Sequence, residues 1–576
     1  QVIVTAEGSL VDTSSASVGS LVDNQSITDL PLNGRDFIQL AALQEGVVTP
    51  TTGLGGRTGD TGLKMVIGGT RPNQNAILLD GTDIKNYYGN TPGGLSRALL
   101  GVETIREFQV ITNAYGAEYG RFTGGVISAV TKSGTNAIHG SLFEYHRNSA
   151  LDARNFFDRD PLNPLERSKP PNFVKNQFGF SLGGPIIQDR TFFFGAFEGL
   201  RERLTTTITN TFPNEAAHKG LLPRFRGRCQ PDQTGNRAKV DPATGLCNIG
   251  VHPAIRPYLD LYPIAKGPDF GDGTAQFPFP APGPLNENYY LVKVDHQISD
   301  TDSFFIRYTF DWSDRLRWRT QYLYAGDSIA RNQYVTLEEK HIFSPNLLNE
   351  LRFAFNRTRV HDVEVPNFPE IPESLFLLPD REGLFGLLRA GGRAISQFGN
   401  STREPQRHTQ NLFQTMDNVV WSRGDHAIKM GFSWSRFQYN GDNRAGFPGS
   451  YWWDSLGEFL VNKPESALHF ASEQYTAGIR QNLIGIYLQD DYRFSPNLTF
   501  NLGVRYEFIT NPTEVADRVG RIDHVGQTEP TIGGPLFDRN PSLKNFSPRL
   551  GFAWDPTGSG KYSVRGGFGL FHDQLL

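Results

Sequence analysis

One segment near the end of the sequence contains the residue types that bind phosphate. Thr557-Gly-Ser-Gly-Lys561 places glycines and a lysine in the order that cradles a nucleotide. However, Asp555 stands where the first glycine is required, and Tyr562 replaces the hydroxyl residue that would bind Mg²⁺. Gly and Ser are also the ordinary residues of tight turns. We therefore interpret the segment as a turn between two strands.

The remaining residues with catalytic or metal-binding chemistry form no recognisable site. The 12 histidines are scattered, and no His-Glu-x-x-His zinc motif occurs. The 2 cysteines are too few for a four-ligand zinc site. We expect no catalytic residue, no metal and no cofactor, and we do not expect an enzyme.

The composition favours a folded β protein. A chain of 576 residues predicts about four domains, or fewer if one of them is a large barrel. Its 56 basic and 60 acidic residues give a net charge of −4, which lacks the basic excess of a nucleic-acid binder. Aromatic residues make up 12% of the chain. No apolar run is long enough for a transmembrane helix, whereas the strands of a membrane barrel alternate and need no such run.

An alternation of apolar and polar residues is the clearest pattern, and residues 498–508 show it best. One face holds Leu498, Phe500, Leu502, Val504, Tyr506 and Phe508, and the other holds Thr499, Asn501, Gly503, Arg505 and Glu507. A period of two is the strand signature. Eleven residues at about 3.3 Å each, tilted by about 45°, cover roughly 26 Å, close to the apolar band of an outer-membrane barrel. The charged face therefore suits a polar lumen and the apolar face suits lipid.

The same pattern predicts about thirteen strands. They are 138–147, 174–184, 191–203, 288–298, 303–313, 331–343, 347–360, 407–422, 426–440, 481–494, 498–509, 546–555 and 561–572. Among the strands that alternate clearly are those that carry Tyr290, Val292, Phe304 and Ile306 on one face and Lys293, Asp295 and Arg307 on the other.

The connections between these strands alternate strictly between short and long. The short ones are 185–190, 299–302, 344–346, 423–425, 495–497 and 556–560, and the long ones are 148–173, 204–287, 314–330, 361–406, 441–480 and 510–545. Short periplasmic turns opposite long outer loops are the layout of an outer-membrane barrel. A soluble β-sandwich or propeller is the alternative, but it does not explain the one-sided loop lengths. Because bacterial barrels use even strand numbers, we expect an incomplete barrel with strands missing after Leu576.

The first 136 residues differ from the rest, with short segments and many glycines. Their motifs are Ile67-Gly-Gly-Thr-Arg71 with Asn75, Leu78-Leu-Asp-Gly81, Val102-Glu-Thr-Ile-Arg-Glu-Phe-Gln-Val110, and Tyr119-Gly120 before Gly124-Gly-Val-Ile-Ser-Ala-Val-Thr-Lys132. In this order they resemble the plug domain of TonB-dependent outer-membrane transporters. The segment Leu30-Pro-Leu-Asn-Gly-Arg35, and Gly183-Gly-Pro-Ile and Pro548–Pro556 in the barrel, resemble the Oar-like branch of that family.

The resemblance implies a fold and a domain order. The fold is an all-β transmembrane β-barrel, incomplete and with about 13 strands present, and with an N-terminal mixed α/β plug domain. We expect an N-terminal segment over 1–20, the plug over 21–136 and the barrel over 137–576, truncated at its C-terminus. In this branch a carboxypeptidase-regulatory-like β-sandwich often precedes the plug, and here it would lie upstream of Gln1.

The resemblance also assigns residues. The plug motif is Gly68, Gly69, Arg71, Asn75, Asp80, Gly81, Gly124 and Gly125, and the TonB-box candidate is Val2, Ile3, Val4, Thr5 and Ala6. The latter segment is equally consistent with an ordinary strand. Polar plug residues are expected to meet inward acids of the barrel such as Asp295 or Glu507; they are Arg71, Asn73, Asn75, Arg97 and Arg121. Such pairs either only hold the plug in place or rearrange during transport.

The long loops carry two further features. Cys229 and Cys247 would both lie outside the cell, where a disulfide closing a loop of about 18 residues is expected, with two unpaired thiols as the alternative. The aromatic residues Trp318, Tyr322, Trp452 and Trp453 are candidates for stacking on a ligand. Some of the loop aromatics, Trp312 above all, suit the girdle at the membrane surface instead.

These features lead to a functional expectation. The family resemblance implies a transporter of the cell outer membrane that binds a scarce extracellular solute and imports it by energy-coupled remodelling of the plug. Its expected partners are a TonB-type periplasmic energy-coupling protein, outer-membrane lipid and a small-molecule or oligomeric solute, but no nucleic acid. An adhesion or assembly barrel without transport is the alternative, because it shares every strand argument.

Overall fold

The computed structural model describes residues 15–23, 27, 35–49, 64–86, 93–96, 98, 100–153, 172–318, 322–366, 371–378, 381, 383–391, 395–401, 404–444, 446–468 and 476–574. The TonB-box candidate Val2–Ala6 and Arg97 lie outside the described residues, as does most of the segment 30–35.

The N-terminal domain contains short strands and 3-10 helices. They are β1 Val18–Asp23, η1 Phe37–Leu43, β2 Val47–Val48, β3 Val66–Ile67, η2 Pro72–Gln74, β4 Ala76–Leu79, β5 Thr82–Asp83, η3 Val102–Thr104, β6 Ile105–Asn113 and β7 Val126–Thr131. Five of the strands form one sheet in the order β1-β6-β7-β4-β5. Strands β4 and β7 run parallel, and the other neighbours are antiparallel.

The remainder of the chain is dominated by long strands. Its elements are β8 His139–Asn148, η4 Ser149–Leu151, β9 Phe173–Ile187, β10 Thr191–Pro213, α1 Glu215–His218, β11 Leu221–Leu222, β12 Lys239–Val240, β13 Cys247–Asn248, α2 Arg256–Leu259, β14 Thr274–Gln297, β15 Asp302–Trp318, β16 Tyr324–Ser344, β17 Leu347–Pro366, η5 Glu373–Leu375, β18 Leu387–Ala390, β19 Phe398–Gly399, β20 Gln406–Arg423, β21 His426–Asn443, β22 Ser450–Trp453, α3 Leu456–Leu460, β23 Ser466–Leu468, β24 Thr476–Ser495, β25 Leu498–Ile509, β26 Thr513–Glu514, β27 Gly520–Arg521, β28 Thr531–Ile532, η6 Pro541–Lys544, β29 Phe546–Trp554 and β30 Val564–Gly569.

The long strands form one antiparallel sheet, which we call the barrel sheet. Its order is β8-β9-β10-β14-β15-β16-β17-β20-β21-β24-β25-β29-β30, with β26 added beside β24. Each predicted strand is present, in the predicted order and orientation. The all-β barrel expectation is therefore confirmed.

Several strands are longer than predicted, mostly on the side of the long connections, although β9 extends to Ile187 into a short turn. Strand β10 continues to Pro213 and pairs with β14 down to Thr274, so the long connection between them is 214–273 and not 204–287. The expected loop 314–330 was wrong, because β15 and β16 leave only residues 319–323 between them. Beyond the apolar band the outer face no longer needs apolar side chains, so the alternation that marks a strand disappears while the hydrogen bonds continue.

The two faces of the barrel sheet differ as the alternation predicted. In β25, Arg505 and Glu507 are 4% and 3% exposed, whereas Leu502 and Val504 are each 42% exposed. Arg307 in β15 is fully buried, and its neighbour Ile306 faces outward. Within the apolar band, strand charges therefore point into the lumen, and apolar side chains cover the outer surface.

The helices are short. The α-helices of the described residues contain four or five residues each. Within that part of the chain, none is both long and hydrophobic enough to pass through a membrane.

The loops above the barrel sheet fold together around a second apolar core. Its largest side chains include Phe212, Tyr262, Phe385, Phe398 and Phe459, and the rings of Tyr262 and Phe398 stack with centroids 3.9 Å apart. Two small sheets frame this core, in the orders β11-β13-β12 and β19-β18-β22-β23. Segments from three separate long connections thus form one folded unit, which we call the loop cap.

The segment with phosphate-binding residue types is a turn, as interpreted. The Asp555 carboxylate accepts hydrogen bonds from the backbone N–H groups of Thr557 and Gly560, at 3.0 and 2.6 Å. An acidic side chain fills the space that a phosphate would occupy, so the turn is stabilised from within.

Cys229 and Cys247 form a disulfide in the loop cap, with their Cα atoms 5.4 Å apart. We predict that the denatured, unreduced protein has no free thiol and that reduction releases two. Closing a loop of this length stabilises the cap by about 3 kcal/mol relative to the open chain. A thiol-specific reagent measures this directly, and reaction of two thiols before reduction would contradict the pairing.

Candidate functional site

Three residues of the plug-like motif hold the N-terminal domain together internally. Asn75 is buried; its amide donates to the Met65 carbonyl at 2.8 Å, and its side-chain oxygen accepts from the Gly125 N–H at 3.1 Å. A Cβ on Gly124 would lie 2.2 Å from that same oxygen, and one on Gly125 would lie 2.3 Å from Ile67 Cγ2. Both glycines are therefore required by close packing.

The expected contact of Asn75 and Arg71 with barrel acids was wrong. Asn75 is satisfied within its own domain, and Arg71 lies at the exposed start of η2 with its N–H bonded to the side chain of Gln74 at 2.9 Å. Gly68 and Gly69 have φ of +62° and +78° and form the turn that precedes it. These residues shape the domain and do not attach it to the barrel.

The central contact between the two domains is a buried ion pair. Its acid lies in the N-terminal domain and its base lies in the barrel sheet, which is the reverse of the expected pairs. Arg307 Nη1, from β15, donates to Asp80 Oδ2 at 2.6 Å, and its Nη2 donates to Thr336 Oγ1 at 2.6 Å. The two Asp80 oxygens also accept from the backbone N–H and the hydroxyl of Thr131, each at 2.8 Å. Burial by itself raises the pKa of Asp80, but the charge of Arg307 and the Thr131 hydrogen bonds outweigh it and hold that pKa below its usual value.

Asp80 reaches the barrel because the chain turns sharply after β4. Asp80 and Gly81 have φ of +47° and +75°. A Cβ on Gly81 would lie 2.3 Å from Arg352 Nη1, so only glycine allows this approach. Arg352 is itself paired with Glu338 and Glu350 of the barrel sheet.

A second group of contacts surrounds Asp83. Its backbone N–H and carbonyl exchange hydrogen bonds with the Gln414 side chain, both at 3.1 Å. Its carboxylate pairs with Arg121 of the same domain, and Arg121 contacts Glu507 through its backbone N–H at 2.8 Å. The expected contact of Arg121 with Glu507 is therefore present, but only through the backbone N–H. The guanidinium of Arg121 binds Asp83, and Glu507 accepts from Arg505 at 2.7 Å.

Two other residues named for this interface also have different roles. Asp295 lies 3.6 Å from Lys293 of its own strand, and Asn73 offers its carbonyl to Lys85 Nζ at 2.9 Å. Burial and the nearby charge of Arg121 lower the pKa of Lys85 to about 7.

The segment 93–101 contains contacts that the sequence did not reveal. Glu287 accepts from the Ser96 N–H at 3.1 Å, and Glu198 accepts from the Gly101 N–H at 2.9 Å. A Cβ on Gly94 would lie 2.5 Å from Glu287 Cδ. Inward-facing glutamates are visible from strand alternation, but their partners are backbone groups, which carry no sequence signal.

A cavity of about 690 Å³ separates part of the N-terminal domain from the barrel wall. Charged residues of both domains line it, among them Asp83, Arg121, Arg352, Arg505 and Glu507. The interface is therefore polar and incompletely filled on this side. On another side it is apolar, since Leu291, Tyr334 and Val360 of the barrel sheet belong to the same core as Phe108 and Val110.

The aromatic ligand candidates lie in the loop cap or at the upper end of the barrel sheet beside it. Trp453 is 4% exposed and packs on Phe459 at 5.0 Å, and Tyr322 packs on Phe279 at 4.9 Å. Trp318 donates its Nε1–H to the Pro282 carbonyl at 2.7 Å. Trp452 is half-buried, with the Arg389 guanidinium 4.2 Å from its ring.

One Gly-x-Ser-x-Gly pattern, residues 179–183, lies within the extended strand β9. A nucleophilic serine of that motif needs a sharp turn from strand to helix. Ser181 instead lies within the sheet, 2.8 Å from the hydroxyl of Ser141, so the pattern forms no nucleophile site.

Comparison with known proteins agrees with this two-domain arrangement. Residues 130–576 match the family model described as an outer membrane beta barrel domain, and residues 11–126 match that of the TonB-dependent receptor plug domain. The TonB-dependent transporter Oar of Myxococcus xanthus is 30% identical over 198 residues, which cover 32% of this chain and 17% of that protein.

Solved structures show the same fold at low identity. The outer membrane transporter YddB of Escherichia coli aligns with a TM-score of 0.56 at 13% identity, covering 96% of this chain and 60% of that one. The ferripyoverdine receptor of Pseudomonas aeruginosa aligns with a TM-score of 0.52 at 11% identity, covering 97% and 57%. The chain thus spans less than two thirds of the length of these relatives.

We predict that Asp80→Asn loosens the N-terminal domain in the lumen, because it leaves the Arg307 charge buried without its partner. Removing one member of a buried pair costs about 3–5 kcal/mol. Hydrogen exchange of β4 and β7 should accelerate accordingly. Arg106→Gln, which breaks the exposed pair with Glu107, is the control and should change little. Wild-type protection in Asp80→Asn would contradict the role of the pair.

Proposed function

Since this chain belongs to the outer membrane β-barrel family and carries the plug domain of TonB-dependent receptors, we propose that it imports a scarce extracellular solute by energy-coupled rearrangement of the plug. The protein resides in the cell outer membrane, and the family is one of transport proteins. The observation that carries the proposal is the polar contact between plug and barrel sheet, centred on Asp80 and Arg307.

A polar interface suits a plug that must move. Neutral hydrogen bonds across it can be exchanged for hydrogen bonds to water, so the net cost of breaking each of these is about 0.5–1.5 kcal/mol. The Arg121 and Glu507 contact borders the 690 Å³ cavity, where water can enter first. We therefore favour rearrangement of this side over a purely static role for its contacts.

The N-terminal segment offers a route for force. We propose that Val2–Ala6 is a TonB box that pairs by strand addition with the periplasmic energy-coupling protein. The chain that follows is attached to the barrel wall, where Asn501 Oδ1 accepts from the Ala16 N–H at 2.9 Å and Arg565 donates to the Ser17 carbonyl at 3.2 Å. It then enters β1, which among the described strands pairs only with β6. Pulling on this segment would detach an edge strand of the plug.

The solute would bind outside, at the loop cap and the upper surface of the plug. Of the aromatic candidates, Trp452 is the one we favour for solute contact, since its ring is half-buried and backed by Arg389. Trp318, Tyr322 and Trp453 support the cap instead. The P. aeruginosa receptor was solved bound to ferripyoverdine, and an iron chelate is one solute class to test here.

The loop cap supports a second candidate function. Its separate core and disulfide make it a folded unit able to bind a large partner. An adhesion or assembly barrel would use such a cap without transport. Dependence of solute accumulation on the proton gradient separates the two functions.

We predict that deleting Gln1–Ala6 from the full-length protein abolishes energised uptake and leaves solute binding at the cell surface intact. Uptake is measured by mass spectrometry as depletion of conditioned medium, with and without a proton uncoupler. Replacing the six residues by a Gly/Ser segment of equal length is the matched control for chain length and should fail equally. Unchanged uptake in either variant would refute the TonB-box assignment, and depletion insensitive to the uncoupler would favour adhesion.

A further inference from the structure

The outer surface of the barrel sheet carries a group of arginines above its apolar band. They are Arg331, Arg357, Arg359, Arg407, Arg436 and Arg480. Each is followed in sequence by a buried residue that faces inward, namely Asn332, Thr358, Val360, His408, Phe437 and Gln481. Because successive side chains of a strand alternate between faces, all six arginines point away from the lumen. We call this group the outer arginine patch.

The strand register joins these residues into one surface. Arg331 lies directly opposite Arg359 on the neighbouring strand. On four neighbouring strands, Arg357, Asn411, Gln438 and Arg480 are successive cross-strand neighbours. The patch therefore extends from β16 to β24 as a continuous strip of cationic and amide side chains.

The positive charge of this strip is not balanced by the protein. Among the described residues, no ion pair includes any of the six arginines. Asp442 lies directly opposite Arg407 in the strand register but pairs with Arg444 at 3.2 Å, and Glu514, near Arg480, pairs with Arg518 at 3.0 Å. Like charges directly opposite each other in a sheet are destabilising. The Arg331 and Arg359 pair thus calls for an anion from outside the chain.

The height of the patch identifies the environment of that anion. In β17 the outward residues from Leu347 to Phe355 are mostly apolar, and Arg357 follows them. Ten residue steps of about 3.3 Å, tilted by about 45°, place Arg357 roughly 23 Å above the periplasmic end of the strand. This is the outer edge of the apolar band, where lipid headgroups of the outward-facing leaflet lie.

We propose that the outer arginine patch binds the phosphate-bearing headgroup of an anionic lipid in the outward-facing leaflet. Guanidinium groups match phosphate oxygens in paired hydrogen bonds, and several of them can share one headgroup. Within the patch, Arg480 and Arg436 donate to the neighbouring amides of Asn440 and Asn482, at 2.9 and 3.4 Å, and Arg407 donates to His361 at 2.9 Å. Arg331, Arg357 and Arg359 are therefore the arginines that we assign to the headgroup.

The test uses the full-length protein in detergent micelles, with diphosphorylated lipid A as the probe and native mass spectrometry as the readout. The variant carries Arg331→Gln, Arg357→Gln and Arg359→Gln together. Each basic residue at a membrane surface contributes about 1 kcal/mol toward anionic lipid, so the variant should bind the probe on the order of 100-fold more weakly. The corresponding Arg→Lys variant should retain more binding than the Gln variant, because it keeps the charge.

Matched controls test whether binding depends on the position of these charges and on the lipid phosphates. Arg224→Gln, Arg226→Gln and Arg228→Gln together remove equal charge from an exposed loop and should leave binding unchanged. A heat-modifiable band on gels should show that every variant is folded. Equal binding by the Gln variant, equal binding of dephosphorylated lipid A, or displacement of the probe by inorganic phosphate at low concentration would each overturn the proposal.

Discussion

Every spanning strand must turn one face toward lipid, and this single constraint determines where the charges of the protein lie. Apolar side chains cover the outer face of β25, while Arg505 and Glu507 of the same strand point inward. Charges in a narrow lumen need partners, because an isolated buried charge is costly. The barrel supplies some of them itself, as in the pair of Arg505 with Glu507, and the plug supplies others. The contact of Asp80 with Arg307 is the most buried example between the two domains.

The interface between plug and barrel has an apolar side that holds the plug and a polar side that can rearrange. The apolar contact of Tyr334 and Leu291 with the plug core provides an anchor that excludes water. The side that contains Arg121 and Glu507 is polar and borders a cavity, so water can replace its hydrogen bonds. A plug with an apolar anchor on one side and replaceable hydrogen bonds on the other can rearrange in part while the domain stays in the lumen. Outside, the loop cap has its own core and does not depend on these contacts.

Much of this architecture could be predicted from the sequence. Alternation located every strand of the barrel sheet except the two-residue β26, because lipid and lumen impose opposite polarity on adjacent residues. It failed above the membrane, where β10 continues to Pro213 without a polarity difference to mark it. The interface was harder to predict. Strand alternation marked Arg307 as inward-facing and the turn motif marked Asp80, but their pairing depends on how the plug is seated. Arg71 and Asn75 were assigned to the barrel wrongly, because a polar residue near an interface can equally be satisfied within its own domain.

The central claim is that the polar side of the plug, including the turn from Asp80 to Asp83 beside the cavity, must move against the barrel wall for transport to occur. The hydroxyls of Thr82 and Thr336 lie 3.3 Å apart across this contact, so Thr82→Cys with Thr336→Cys can join the two domains by a disulfide. The measurement is energised uptake by cells carrying this pair, before and after reduction, with Thr82→Cys alone as the control. We predict that uptake stops in the oxidised protein and returns on reduction, while surface binding of solute is unchanged. Full uptake with the disulfide intact would contradict the claim.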